Sequence, residues 1–184
     1  MNILIAGVGG QGTLLASRVL GKYAQIKGYD IKLSEVHGMA QRGGSVITFV
    51  RMGDKVNSPI IDFGGADVLL AFEKLEALRY SHYLQADGKT VYSTQEIMPM
   101  PVVTGVAEYP TDIESRLKNG VGIDAMKYAL EAGNAKAANS VMLGFLTREM
   151  NFEYAAMKQA LVESVPQKLC AMNEKAFDLG YTAK

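Results

Sequence analysis

The chain has 184 residues, of which 48% are hydrophobic and 21% charged, and its 19 basic and 19 acidic side chains give a formal net charge of zero. This length suits one buried domain, so residues 1–184 are predicted to form a single unit, and the balanced charge argues against nucleic acid or an acidic membrane as a partner. The single cysteine, Cys170, excludes an internal disulfide and a self-contained iron–sulfur cluster, which needs about four cysteine ligands.

The first predicted elements are a buried strand and a helix joined by a glycine-rich loop. Residues 3–6 form an apolar run (ILIA), and residues 7–12 (GVGGQG) follow it directly. Apolar residues then recur at helical spacing, at Leu15, Val19, Tyr23 and Ile26. Gly28 is suited to end this helix, and the alternation of Ile31 and Leu33 with polar residues predicts a second strand. Together these segments have the size of a βαβ mononucleotide-binding unit, about 30 residues.

Further strands are predicted in the middle of the chain, at residues 45–52, 66–72, 89–93 and 102–107. The first is rich in β-branched and aromatic residues, and the second is an almost continuous apolar run that is typical of the centre of a sheet. The last is expected at a sheet edge because prolines stand at positions 99 and 101. A helix through Leu75 and Leu78 is predicted after the central strand.

The remainder of the chain is predicted to be helical. Apolar stripes at helical spacing cover residues 123–132, 137–150, 153–165 and 167–179. Strands that alternate with helices in the first half, followed by helices alone, indicate an α/β fold. The predicted architecture is a Rossmann-like, mostly parallel sheet with helices on both faces and a helical C-terminal flank.

Two further features bear on metals and on the compartment. The two histidines, His37 and His82, have no partner at metal-ligand spacing. No apolar run approaches the roughly 20 residues that cross a bilayer, and glycines interrupt the apolar N-terminal segment, which argues against a signal peptide. The sequence therefore predicts a cytoplasmic protein with neither a metal site nor a membrane partner.

The glycine loop is the first candidate site, because a strand that turns through glycines into a helix leaves backbone N–H groups that favour an anion. Its candidate binding residues are Gly7, Gly9, Gly10, Gln11 and Gly12. Glu35 follows about 20 residues later, where dinucleotide-binding folds place an acid that binds ribose. A dinucleotide, another anionic ligand and a purely structural turn all agree with this pattern. The Gln11 amide either contributes at the mouth of the loop or is exposed to solvent.

The second candidate site is the segment of residues 34–45 (SEVHGMAQRGGS), which begins at the end of a strand, where doubly wound sheets bind ligands. Its candidate ligand- or partner-binding residues are Glu35, His37, Gln41 and Arg42. An arginine contacts phosphate or carboxylate groups with two parallel hydrogen bonds. Alternatively, these residues have only a structural role, in which Glu35 pairs with Arg42 and His37 caps a turn. No nucleophile or orienting partner supports His37 as a general base, so no catalytic residue is assigned.

A third segment, residues 139–144 (NSVMLG), stands early in a predicted helix. Asn139 is a candidate hydrogen-bonding group there, and Gly144 is suited to close packing between helices. A structural role is the stronger interpretation of this segment.

Residues 9–12, 35–44 and 139–144 together resemble the gamma-type subunit of the 2-oxoacid:ferredoxin oxidoreductases, and the resemblance runs from end to end of the chain. It implies a Rossmann-like subunit of an enzyme that oxidatively decarboxylates a 2-oxoacid, here an aryl one, to an acyl-CoA and reduces ferredoxin. In this family thiamine diphosphate forms the carbanion, iron–sulfur clusters carry the electrons, and coenzyme A accepts the acyl group.

The resemblance also implies where those cofactors reside. This chain has one cysteine and no Gly-Asp-Gly segment followed by the asparagine of a thiamine diphosphate and magnesium site. Thiamine diphosphate, magnesium and iron–sulfur clusters are therefore expected on a larger partner subunit, with no cofactor bound by this chain alone. Coenzyme A is expected as co-substrate and ferredoxin as acceptor through the complex.

The candidate residues are then expected to face the partner's active site, where they hold coenzyme A or order the partner's loops around the thiamine. Two other functions stay open. The first is an independent NAD- or flavin-dependent oxidoreductase. The second is a regulatory module that senses a nucleotide.

Overall fold

The computed structural model describes residues 1–38, 43–117 and 119–183. Its strands are β1 (Asn2–Val8), β2 (Asp30–His37), β3 (Ser45–Gly53), β4 (Ala66–Ala71), β5 (Leu84–Ser93) and β6 (Gly120–Ile123). They form one sheet in the order β2-β3-β1-β4-β5-β6. β1 pairs in parallel with β4, β4 with β5 and β5 with β6, whereas β3 is antiparallel to both β1 and β2. The mostly parallel sheet that the sequence predicts is therefore confirmed.

The order of the first three strands differs from a simple βαβ unit. β1 and β2 run in the same direction, but they are not neighbours, because β3 lies between them and pairs with both. Composition explains this order, since β3 is apolar and buried along most of its length, whereas β2 carries polar residues on both faces and is largely exposed. The apolar strand takes the inner position and the polar one takes the edge.

Helices cover both faces of the sheet. They are α1 (Thr13–Ile26), α2 (Lys74–Arg79), α3 (Met100–Val103), α4 (Ile113–Arg116), α5 (Ala125–Ala132), α6 (Ala138–Glu149), α7 (Tyr154–Ser164) and α8 (Cys170–Thr182), with short 3₁₀ helices at Ser81–Tyr83, Ala135–Ala137 and Gln167–Leu169. Ile3 and Ile5 of β1 pack toward α1 and α5–α8, while Leu4 and Ala6 pack on the opposite face with residues of α2 and α4. This alternation follows from the two-residue period of a strand.

The C-terminal helices are held together by unusually close packing of α6 against α8. A Cβ atom built on Gly144 would collide with the Phe177 carbonyl, and one built on Gly180 would collide with the Val141 carbonyl. Both glycines are therefore needed for the two helix backbones to approach each other. The expectation that Gly144 marks close helix packing is confirmed.

One predicted strand is wrong, and one observed strand was missed. Residues 102–107 do not form a strand: they belong to α3 and the turn after it, because Pro99 and Pro101 suit the start of a helix and Gly105, at φ +74°, suits its end. Residues 120–123 form the strand β6, which the sequence pattern missed. Gly122 lies so close to the ring of Tyr92 that a Cβ there would be 2.8 Å from Tyr92 Cζ, so packing against β5 selects glycine.

Candidate functional site

The glycine loop is braced by the side chain of Gln11. Its Oε1 accepts a hydrogen bond from the Val8 N–H at 2.8 Å. Its Nε2 donates to the Phe72 carbonyl at 2.9 Å and to Gln95 Oε1 at 3.1 Å. The amide therefore ties the loop after β1 to the residues that follow β4 and β5, and it is not simply solvent-exposed.

Two glycines of the loop have close neighbours where a side chain would stand. Gly12 has φ +86°, and a Cβ there would collide with Asn139 Nδ2. A Cβ on Gly7 would lie 3.0 Å from Thr13 Cγ2 and 3.1 Å from Gln11 Oε1. These positions let the loop backbone contact the start of α6 and let the Gln11 side chain fold over it.

Helix α1 begins at this loop with Gly12 as its N-cap residue, in the left-handed region. Among residues 1–38, 43–117 and 119–183, no side chain caps its first turn. The first turn carries neither Asp nor Glu. The amides at the start of a helix then favour an anion, or the oxygen atoms of a partner, from outside the helix.

The second candidate segment meets the glycine loop through its backbone. The Gly9 N–H donates to the Gly44 carbonyl at 2.8 Å, and the Gly43 N–H donates to the Gly9 carbonyl at 3.3 Å. A cavity of about 400 Å³ lies beside these bonds. It is lined by Gly9, Gly10, Gly12, Thr13, Leu14, Glu35, His37 and Val46. The structure thus brings Glu35 and His37 to the glycine loop, as the sequence predicts.

Within that cavity no hydrogen bond or ion pair joins the side chains of Glu35 and His37. Thr48 Oγ1 donates to Glu35 Oε2 across a long 3.5 Å, and His37 Nδ1 lies 3.2 Å from the carbonyl of Gly38. Both side chains are exposed at the edge of the sheet. Because β3 separates β2 from β1, Glu35 stands one strand farther from the glycine loop than the acid of a simple dinucleotide-binding unit. Gln41 and Arg42 lie outside the described residues.

A second cavity, of about 320 Å³, lies on the other side of the glycine loop. Its lining joins the loop and the ends of β4 and β5 to the start of α5 and of α6, through Gly10, Gln11, Gly12, Phe72, Ser93, Gln95, Ala125, Met126, Ala135, Lys136, Ala138, Asn139 and Met142. The sequence analysis missed Gln95 and Lys136. Gln95 stands two residues past β5. Its position after the carboxyl end of a parallel strand could have identified it as a candidate, because ligands bind there in α/β sheets. The two cavities and the loop between them are hereafter called the cleft.

Asn139 occupies the junction between the cleft and the helical flank. It is 6% exposed, and its Oδ1 accepts a hydrogen bond from the Ser140 N–H at 2.8 Å. Its Nδ2 faces Gly12. The predicted hydrogen-bonding side chain thus lies at the glycine loop, although it stands more than a hundred residues away in sequence.

A buried carboxylate, Glu73, follows the end of β4 and was also missed. It is 1% exposed, and it accepts hydrogen bonds from the Glu76 N–H at 2.8 Å and the Ile97 N–H at 3.0 Å. The Tyr109 hydroxyl donates to it at 3.4 Å. Burial raises the pKa of Glu73, and the neighbouring Glu76 adds to this effect, while the backbone hydrogen bonds oppose it. Glu73 is the N-cap of α2, and its hydrogen bonds join that helix to the segment that contains Ile97 and Tyr109.

The described part of the chain offers little for other kinds of site. No group of three or more His, Cys, Asp or Glu side chains in it could hold a metal ion. None of its described helices has the length and apolar character to cross a membrane.

Comparison with known proteins gives a match over nearly the whole chain. A family model described as pyruvate ferredoxin/flavodoxin oxidoreductase matches residues 2–183. The chain is 44% identical to the indolepyruvate oxidoreductase subunit IorB of Pyrococcus horikoshii, over 99% of this chain and 95% of that protein.

Solved structures share the fold. A keto/oxoacid ferredoxin oxidoreductase gamma subunit from Geobacter sulfurreducens matches with a TM-score of 0.74 at 24% identity, over 98% of this chain and 95% of that chain. The fold also matches part of a 2-oxoglutarate:ferredoxin oxidoreductase from Magnetococcus marinus, whose structure has 2-oxoglutarate, coenzyme A and succinyl-CoA bound. That match has a TM-score of 0.75 at 20% identity, and it covers 98% of this chain but 30% of the longer one.

Proposed function

Because this chain belongs to the pyruvate ferredoxin/flavodoxin oxidoreductase family, we propose that it is the smaller subunit of a 2-oxoacid:ferredoxin oxidoreductase whose substrate is indolepyruvate. The complex oxidatively decarboxylates the 2-oxoacid, transfers the acyl group to coenzyme A and passes the electrons to ferredoxin. The observation that carries this proposal is the 44% identity to an indolepyruvate oxidoreductase subunit over nearly the full length of both proteins.

The chemistry of the chain supports an accessory role within that complex. One cysteine is too few for an iron–sulfur cluster, and the described residues contain no metal-binding group of acids, histidines and cysteine. The residues present therefore do not fit the redox cofactors. Thiamine diphosphate, magnesium and the clusters belong to a larger partner subunit, and the isolated chain is inactive.

The cleft is the part of this subunit that faces the partner's active site. Its loop amides and the uncapped start of α1 suit phosphate or carboxylate oxygens, and Lys136 adds a positive charge to one rim. Glu35 and His37 stand at the other rim. The side chains there suit hydroxyl groups or polar groups of the partner's loops better than a second anion, because a carboxylate accepts hydrogen bonds and repels negative charge. The cleft thus holds part of coenzyme A or orders the loops around the thiamine.

The first experiment tests the assembly. The chain is expressed alone and together with a larger, thiamine-containing subunit of such an oxidoreductase, and indolepyruvate-dependent reduction of a viologen dye is measured with and without coenzyme A. We expect turnover only from the complex and only with coenzyme A, and thiamine diphosphate only in the larger subunit. Turnover by the isolated chain would overturn the proposal.

The same preparation separates the alternatives. An independent oxidoreductase predicts that the isolated chain is yellow with flavin or is thermally stabilised by NAD. A nucleotide-sensing module predicts stabilisation by a nucleotide without any thiamine-containing partner. The proposed function predicts neither effect at millimolar nucleotide.

A second experiment tests the role of the cleft in the complex. His37→Ala is compared with His82→Ala, because both histidines are exposed and only His37 lines the cleft. We expect His37→Ala to raise the KM for coenzyme A or to weaken assembly by about threefold to tenfold, which corresponds to about 1 kcal/mol. Arg42→Ala is expected to act in the same direction. If His37→Ala and Arg42→Ala both show wild-type kinetics and assembly, the proposed role of the cleft is wrong.

A further inference from the structure

The segment after β5 exposes a run of apolar side chains. Residues 97–107 (IMPMPVVTGVA), hereafter called the apolar arm, contain no charged residue. The exposed fractions of its large side chains are 45% for Met98, 69% for Met100, 64% for Val103 and 81% for Val106. Apolar side chains gathered in this way on a surface are typical of a protein–protein contact.

The apolar arm is held in a defined shape. Its backbone forms a helical turn closed by hydrogen bonds from the Val106 and Ala107 N–H groups to the Pro101 carbonyl, at 2.8 and 3.0 Å. The buried Glu73 accepts from the Ile97 N–H at one end of the arm and from the Tyr109 hydroxyl just beyond the other. A binding surface that is ordered in advance loses less conformational entropy when the partner docks.

The arm is continuous with the cleft. Gln95 stands two residues before the arm, lines the cleft and accepts a hydrogen bond from Gln11 Nε2 at 3.1 Å. Lys74 bridges Glu96 and Glu114 at 2.9 and 3.0 Å, which fixes the base of the arm against α4. A protein that covers the arm therefore lies directly beside the cleft.

The size of the surface indicates the kind of partner. Four side chains with these exposures present a few hundred Å² of apolar surface, whereas a stable interface buries about 800 Å² on each side. The arm by itself is too small to hold two copies of this chain together. It is sufficient as one part of an interface that also covers the rim of the cleft.

We propose that the apolar arm docks on the larger subunit of the oxidoreductase and positions the cleft against that subunit's active site. This inference rests on the proposed function and identifies the surface that the complex needs. In the 2-oxoglutarate:ferredoxin oxidoreductase from Magnetococcus marinus, the same fold makes up 30% of a longer chain, so this fold also occurs alongside other parts of such an enzyme.

The test uses the complex and a double variant, Met100→Lys with Val106→Lys. Leu130→Lys is the matched control, because Leu130 is also an exposed apolar residue, at 61%, and lies on α5, away from the arm. Binding of each variant to the larger subunit is measured by titration, and dye reduction is measured at low and high subunit concentration. Circular dichroism and the thermal midpoint of each free subunit verify folding.

We expect the double variant to bind at least tenfold more weakly than wild type, with an unchanged thermal midpoint, and to recover activity when it is supplied in excess. Leu130→Lys is expected to stay within threefold of wild type. Wild-type affinity of the double variant would overturn the docking role of the arm while leaving the proposed function intact.

Two other outcomes also decide the matter. Self-association of the free wild-type chain that the double variant abolishes, with unchanged affinity for the larger subunit, would assign the arm to a second copy and overturn the inference. A wild-type chain that forms no complex with any thiamine-containing subunit would overturn the proposed function itself.

Discussion

The cleft and the apolar arm lie at the same end of the sheet, beyond the carboxyl ends of β1, β4 and β5, but they arrange their side chains in opposite ways. In the cleft, the polar side chains of Gln11 and Asn139 turn inward and bond to the backbone. In the arm, apolar side chains turn outward into solvent. Satisfied inward polar groups stabilise the fold, whereas outward apolar groups contribute to stability only when a partner covers them.

Among substitutions in the cleft and the arm, the largest effect is expected at Gly12. Gly12→Ala places a side chain at φ +86° against Asn139, and we expect it to lower the free energy of unfolding by about 2–4 kcal/mol, measured by urea titration. Gly28→Ala is the control, because Gly28 has φ +74° with open space around it, and it should cost about 1–2 kcal/mol from backbone strain alone. Asn139→Ala in the Gly12→Ala background should restore part of the loss. Equal effects at the two glycines would show that the cleft is not tightly packed.

The brace formed by Gln11 gives the next effect. Gln11→Ala removes one accepted and two donated hydrogen bonds and leaves the Val8 N–H without its side-chain partner, so we expect a loss of about 1–3 kcal/mol in urea unfolding. Gln25→Ala, on the exposed face of α1, is the control and should change stability by less than about 0.5 kcal/mol. A loss of less than about 0.5 kcal/mol for Gln11→Ala would mean that water replaces the hydrogen bonds of Gln11 at little cost in stability.

The buried Glu73 holds both ends of the apolar arm and makes the stability of the fold depend on pH. Its pKa is raised by burial, so the folded protein binds a proton that the unfolded chain releases between the ordinary glutamate pKa and the raised value. This contribution is complete below the ordinary pKa and is lost as pH rises through the raised one. The difference in unfolding free energy between wild type and Glu73→Gln, followed by urea titration from pH 4 to 8, should therefore favour wild type increasingly toward low pH. A flat difference across this pH range would contradict the raised pKa of Glu73.

The smallest effect is expected in the arm itself. Met100→Ala and Val103→Ala remove side chains that are 69% and 64% exposed, so the free energy of unfolding should change by less than about 0.5 kcal/mol. Phe177→Ala, at a fully buried position of the core, provides the contrast and should cost about 3–5 kcal/mol. A loss above 1 kcal/mol from either arm substitution would show that the arm packs on its own subunit and is not left free for a partner.

Local patterns predicted much of the fold and part of the cleft. The glycine loop, Glu35 and His37 were found because they follow predicted strands, and the carboxyl ends of strands meet at one edge of a sheet. The strand predicted at 102–107 failed because valine favours strands in general, whereas two prolines and a glycine fixed a helical turn here. Gln95, Lys136 and Glu73 were missed because their importance depends on contacts with residues far along the chain.

The amino-acid sequence by itself determined the α/β class, the glycine loop between β1 and α1, the helical C-terminal flank and the inability of one cysteine to hold an iron–sulfur cluster, because each depends on composition or on near neighbours. Only the tertiary structure decided that β3 separates β1 from β2, that Asn139 packs against Gly12 and that the apolar arm stands beside the cleft. Strand order and long-range packing depend on which buried surfaces fit together across the whole chain. The local spacing of apolar residues does not predict that fit.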